Sequence, residues 1–131
     1  MKHLTHSQIA ELDRRLERQV VELRYEIRRL LLDSDQQSHR DLAGSVGDAG
    51  DESIANELTD IGAAFIDRHV HELRDAEAAR VRLAVGTFGV CTDCGSGIEW
   101  GRLKALPVAT RCVRCAGHHE KTHAHESTTT L

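Results

Sequence analysis

The stretch that decides the fold is Gly89–Cys115, GVCTDCGSGIEWGRLKALPVATRCVRC, which holds every cysteine of the chain. Cys91 and Cys94 form one Cys-x-x-Cys pair, Cys112 and Cys115 form another, and seventeen residues separate the pairs. A Cys-x-x-Cys turn puts two thiolates on one side of a tight knuckle. Two knuckles supply the four soft ligands of a tetrahedral zinc. Gly95, directly after Cys94, permits the sharp turn that such a knuckle needs. The spacing therefore predicts one structural Zn2+ held by Cys91, Cys94, Cys112 and Cys115. Four thiolates close the shell, which leaves no position for water or substrate. A redox Cys-x-x-Cys belongs to a strand–helix junction of a βαβ unit, and none is legible here.

Outside this stretch the chain reads as long charged helices. Of 131 residues 29% are charged and only 3% aromatic, too little ring area for an ordinary globular core. The only proline is Pro107, so everything before it is free to be helical. Ile9, Leu16, Leu23 and Leu30 recur every seven residues, joined by Leu12, Val20 and Ile27. This narrow seam predicts a helix over about 5–40, opened by Thr5 and Gln8 at capping-box spacing and roughly 50 Å long. Glu22 and Glu26 lie in register with Arg18 and Arg15 for surface ion pairs. A second helix is expected from about Glu52 to Val85, with Leu58, Ile61, Phe65, Leu73, Ala76 and Leu83 on one face, Ala79 in a narrow place, and Gly86 as its stop.

Between them Gly44, Gly47 and Gly50 stand among Asp and Ser, so helix propensity falls and turn propensity rises. Two helices of similar length across a short glycine-rich loop bury their seams by folding back on each other. The expected fold is mainly α: a long antiparallel helical hairpin (coiled coil) over 1–86 with an acidic tip at about 42–53, a small C-terminal four-cysteine zinc-finger base over 87–117, and a polar tail over 118–131. A parallel dimeric coil is disfavoured by the three glycines, so a monomer is expected. His118, His119, His123 and His125 are assigned to a solvated tail with a short helix that frays. His69 and His71 are assigned to surface or seam-flanking places.

Charge is unevenly spread. Residues 41–67 hold seven Asp/Glu and no Lys/Arg, whereas the flanking segments are near balance. Phosphate affinity follows Lys and Arg, so the acidic middle excludes a duplex-binding role for that segment and suits a basic protein surface. No apolar leader or membrane span is legible, and a cytoplasmic protein is expected. Gly-x-Ser-x-Gly, phosphate-cradling loops and His-Glu-x-x-His are all missing, so no enzyme is expected.

With these residues in hand the chain resembles the DksA/TraR family of bacterial RNA polymerase regulators. The matching features are Gly86, Phe88-Gly89 before the first cysteine pair, Gly95 after it, then Ile98, Arg102-Leu103, Ala105, Pro107 and Ala109 before the second pair. The resemblance implies a zinc-bearing transcription regulator. Its hairpin enters the polymerase's secondary channel, and two tip aspartates in the pattern Asp-x-x-Asp-x-Ala act near the catalytic centre. Asp48, Asp51 and Ser53 stand at those positions, with serine in place of the family's alanine. Longer members respond to the alarmone ppGpp through basic residues around the zinc end. At the matching positions this chain has Asp75, Leu106 and Ala116, which offer nothing to a polyphosphate. The resemblance thus implies polymerase binding without a ppGpp site. The rival expectation is a zinc finger that binds nucleic acid directly through Arg102, Lys104, Arg111 and Arg114.

Overall fold

The computed structural model describes the backbone of residues 1–43 and 49–129, and the side chains of 1–35 and 60–122. Four helices follow in order: α1 (His6–Ala43), α2 (Ala49–Val85), α3 (Trp100–Ala105) and α4 (Val113–Thr129). No strand occurs among the described residues; an isolated antiparallel bridge joins Val90 and Gly97. The architecture is mainly α, as the heptads predict.

The start of α1 is fixed by the expected capping box. The Thr5 amide donates to Gln8 Oε1 at 2.9 Å, and the Gln8 amide donates back to Thr5 Oγ1 at 3.1 Å. Two donors that the first helical turn leaves orphaned are thereby satisfied. α2 stops at Gly86, whose φ of +84° is open to glycine at no steric cost.

The chain divides into two compact units. The first comprises Met1–Glu17 and Ala76–Leu131, so it gathers the start of α1, the end of α2 and everything after it. Its core is Leu4, Leu12 and Leu16 with Ala76 and Ala79, closed by Phe88, Ile98 and Leu103 from the cysteine-bearing region, all buried. Trp100, the sole tryptophan, opens α3 in this unit and is half-buried. Small Ala76 and Ala79 let α2 approach this core closely, the narrow place expected from the sequence.

The second unit, Arg18–Asp75, joins the rest of α1 to the first part of α2. Val20 and Leu23 are buried here, and Ile27 and Leu30 are half-buried. The seam expected on α1 is thus the seam observed. On α2 it differs by one residue. Ile61 and Phe65 are 52% and 50% exposed, while Gly62, Ile66, His69 and Leu73 are half-buried. Residues 62, 66, 69, 73, 76 and 83 keep an unbroken heptad register; the step from Phe65 to Leu73 is eight residues and breaks it. His69 sits on this seam, donating from Nδ1 to the Phe65 carbonyl at 2.7 Å.

Two further expectations are corrected. Glu26 pairs with Arg29 at 2.6 Å, not with Arg15, whose guanidinium reaches the Lys104 carbonyl at 2.6 Å. The tail is also more helical than expected, for α4 runs seventeen residues to Thr129. Its Ala, Glu, Lys and His residues sustain a helix that one Gly117 does not stop.

The buried seam sets a stability test. Leu16→Ala, at a side chain with no exposed surface, should cost about 2–5 kcal/mol in a denaturant melt. Phe65→Ala should cost less than about 1 kcal/mol because its ring is half in water already. Equal losses at both sites would return Phe65 to the seam.

Candidate metal centre

The cysteine region is a set of short turns held by backbone hydrogen bonds. The Cys91 amide donates to the Ser96 carbonyl at 2.8 Å, and the Gly95 amide donates to the Cys91 carbonyl at 3.0 Å, which closes the first knuckle. Gly95 takes φ of +74° at the bend, as its place after Cys94 predicts. The second pair straddles a helix start: Cys112 precedes α4, Cys115 lies in its first turn, and the Ala116 amide donates to the Cys112 carbonyl at 2.8 Å. The two knuckles are laced together where the Thr92 amide meets the Thr110 carbonyl at 2.9 Å. Arg111 Nε donates to Asp93 Oδ2 at 2.9 Å, and Arg102 Nε donates to the Arg111 carbonyl at 2.7 Å.

These bonds bring Sγ of Cys91, Cys94, Cys112 and Cys115 within 4.8 Å of one another, the one such cluster of potential ligands among the described residues. Tetrahedral zinc–thiolate bonds put sulfurs about 3.8 Å apart; Cys94 and Cys112 stand 3.9 Å apart. Donor number, softness and separation all fit one structural Zn2+. The ion crosslinks two knuckles distant in sequence and supplies folding energy to a region with few apolar side chains.

The thiols are not equivalent. Backbone N–H groups, first that of Cys94 and then that of Cys112, pull the Cys91 thiol down to about 6. The Ser96 amide and hydroxyl lower Cys94. Cys115 goes the other way, to about 12, because its proton is shared with the Cys112 thiol and because burial disfavours a further thiolate. A metal-free cluster at neutral pH thus holds thiolate on the first knuckle and keeps the Cys115 proton, which a bound cation displaces.

Sequence reasoning missed the contact that covers this finger. The ring of His3 lies on Gly97, where an added Cβ would stand 2.9 Å from Nδ1, and His3 Nε2 lies 2.9 Å from the Ile98 carbonyl oxygen. Gly89 is constrained twice, by φ of +77° and by Leu4 Cδ1, 3.2 Å from where its Cβ would be. The only sequence signal was the pair of glycines at 89 and 97. Arg82 reaches from α2 to the Val108 carbonyl at 3.5 Å.

Asp48 lies outside the described residues. Asp51 and Ser53 fall within α2, and their side chains lie outside them too. Of the histidines, His118 is exposed and His119 half-buried on α4, whereas the side chains of His123 and His125 are not among those described. Exposed His71 faces Asp67 at 3.5 Å.

A helical protein closed by a four-cysteine finger is the class that this geometry defines, and comparison with known proteins narrows it. Residues 86–121 match the prokaryotic dksA/traR C4-type zinc finger. The chain is 38% identical over 63 residues to an uncharacterized 8.2 kDa protein in the gpA 5′ region of Escherichia phage P2, covering 47% of this chain and 85% of that protein. It is 31% identical over 74 residues to an uncharacterized protein of Aquifex aeolicus, covering 56% of this chain and 49% of that one, so it spans about half of that relative's length. Its fold is similar to that of transcription factor DksA2 from Pseudomonas aeruginosa, with a TM-score of 0.80 and 24% identity over 93% of this chain and 90% of that one. The chain belongs to the DksA/TraR family.

Loss of a ligand is the direct test. Cys112→Ser should release zinc, seen with a chromophoric chelator, and lower the melting temperature of the finger. A metal-free wild type that melts unchanged would show the ion to be dispensable. Zinc uptake at pH 7 should also release protons, Cys115 among their sources because its thiol is pushed up to about 12 and keeps its proton until the cation displaces it. A weakly buffered indicator dye reads this, and a silent dye would contradict the assignment.

Proposed function

We propose that this protein is a non-enzymatic regulator that binds RNA polymerase, places the segment joining α1 and α2 in the secondary channel and modulates initiation. The observation that carries the reading is membership of the DksA/TraR family, supported by a fold like that of a DksA2 transcription factor across nearly the whole chain. Helices of 38 and 37 residues, roughly 55 Å each at 1.5 Å per residue, give the reach that such a role demands. Asp48, Asp51 and Ser53 are the proposed effectors, within a span that carries seven acids and no base. Carboxylates there act through space on basic side chains or on a catalytic metal. The protein would work as a monomer in the cytoplasm, without reading DNA sequence.

Direct nucleic-acid binding through the finger draws less support. Of its four bases, Arg111 is paired with Asp93 and Arg102 is engaged with the Arg111 carbonyl. Lys104 and Arg114 are left to meet phosphates, too few for the salt-sensitive affinity of a nucleic-acid binder. A ppGpp site of its own is likewise unsupported: Asp75 and Leu106 are exposed and Ala116 half-buried, and none donates to phosphate.

The test is capture of core RNA polymerase, with wild type set beside Asp48→Asn/Asp51→Asn. The double variant should fold and bind as wild type, shifting stability by less than about 1 kcal/mol apart from any lost cap, yet no longer alter open-complex lifetime. Wild-type activity in that variant would remove the tip as effector, and failure of the wild type to bind core enzyme would remove the reading itself. On a polymerase without its other ppGpp site, adding ppGpp should leave the effect of saturating protein unchanged. A several-fold enhancement lost in Lys104→Ala/Arg114→Ala would reveal a rearranged site.

A further inference from the structure

The second unit carries a seam that nothing covers among the described residues. Arg18, Val21, Tyr25, Arg28 and Leu32 recur along α1 at steps of three and four residues, and all are exposed. Val21 is 62%, Tyr25 69% and Leu32 57% exposed. Arg18, Tyr25 and Leu32 stand two residues on from the buried row Leu16–Leu23–Leu30, and Val21 and Arg28 two residues before it, at positions that face water in a two-helix coil and are ordinarily polar. Single exposed apolar residues need no explanation. Three in heptad register are a helix-sized patch, in a chain with only four aromatic residues.

The charges in the patch say what kind of surface fits it. Arg18 and Arg28 alternate with the apolar residues and make no ion pair or side-chain hydrogen bond among the described residues. The same steps reach exposed Asp35, so the stripe holds one carboxylate against two arginines and its balance stays basic. Phosphate would engage two guanidinium groups but leave Val21 and Leu32 without a partner. A helix with its own apolar row and acidic flanks satisfies both kinds of side chain.

We propose that Arg18, Val21, Tyr25, Arg28 and Leu32 form a docking seam for an amphipathic helix of another protein, whose carboxylates, about ten residues apart, meet Arg18 and Arg28. The seam rests on the polymerase reading only for where its helix is first sought. Tyr25 at its middle is the anchor, since a ring with a polar tip contributes much contact area at little entropic cost.

The full-length, zinc-loaded protein with p-benzoylphenylalanine in place of Tyr25 is irradiated with purified core RNA polymerase, and separately in cells that carry it, and the crosslinked peptides are sequenced. The expected crosslink falls on one helical segment bearing Asp or Glu at about ten-residue spacing. Arg18→Glu/Arg28→Glu, checked for helicity by circular dichroism, should weaken binding about tenfold or more and abolish the crosslink. Val21→Ser should weaken binding without changing charge, so the test survives if the charge-reversed variant misfolds. Crosslinking to a second copy, to nucleic acid, to a non-helical segment, or to nothing in either setting overturns the seam. If core polymerase binds while Tyr25 stays silent in both settings, the seam fails and the polymerase reading stands. If core polymerase does not bind but the cellular crosslink maps to an acidic amphipathic helix elsewhere, the reading fails and the seam stands.

Discussion

Four sulfur atoms must meet at one point, and the first unit is organised around that requirement. Its apolar inventory is small: Phe88, Ile98 and Leu103 are the large buried side chains between the end of α2 and the end of α3. Such a set would not hold two knuckles, separated by seventeen residues, in a single conformation against chain entropy. A metal–thiolate crosslink supplies what the core does not. The hydrogen bonds around it act as jigs, since Thr92–Thr110 and Arg111–Asp93 align the pairs that the ion then fixes.

The metal centre was legible because its chemistry is local. Two Cys-x-x-Cys pairs and a glycine after the first specify ligand number and turn geometry without reference to the rest of the chain. The α1 seam was legible because one face dominates: Leu12, Leu16, Val20 and Leu23 are apolar and buried. On α2 two faces compete. Ile61 and Phe65 are larger and more apolar than Gly62 and His69, so hydrophobicity alone selects the wrong row. The register is settled instead by Leu73, Ala76 and Leu83 further along, which extend backwards in heptads to Ile66 and Gly62. His3 was illegible for a different reason. Its contact spans 95 residues of sequence, and its only trace is the missing side chain at Gly97.

The same comparison shows what an exposed apolar residue means in a chain this polar. Phe65 lies at the flank of the α2 seam and Tyr25 on the outward face of α1. The sequence pattern puts Phe65 on the α2 seam and leaves Tyr25 off the α1 seam, and burial assigns neither to the core. An apolar side chain that neither the pattern nor the packing uses is where a contact outside the chain has to be sought.

The aromatic scarcity has a practical side. The chain has one tryptophan, Trp100, in the first unit, and one tyrosine, Tyr25, in the second. Each unit therefore carries its own intrinsic fluorophore: red-edge excitation selects the indole alone, and the phenol is read from its shorter-wavelength emission, without any label. Heating or chelation monitored at the indole reports the zinc-bearing unit, while the phenol reports the helical pair. Whether the two melt together or in sequence can be read from a single cuvette of unmodified protein.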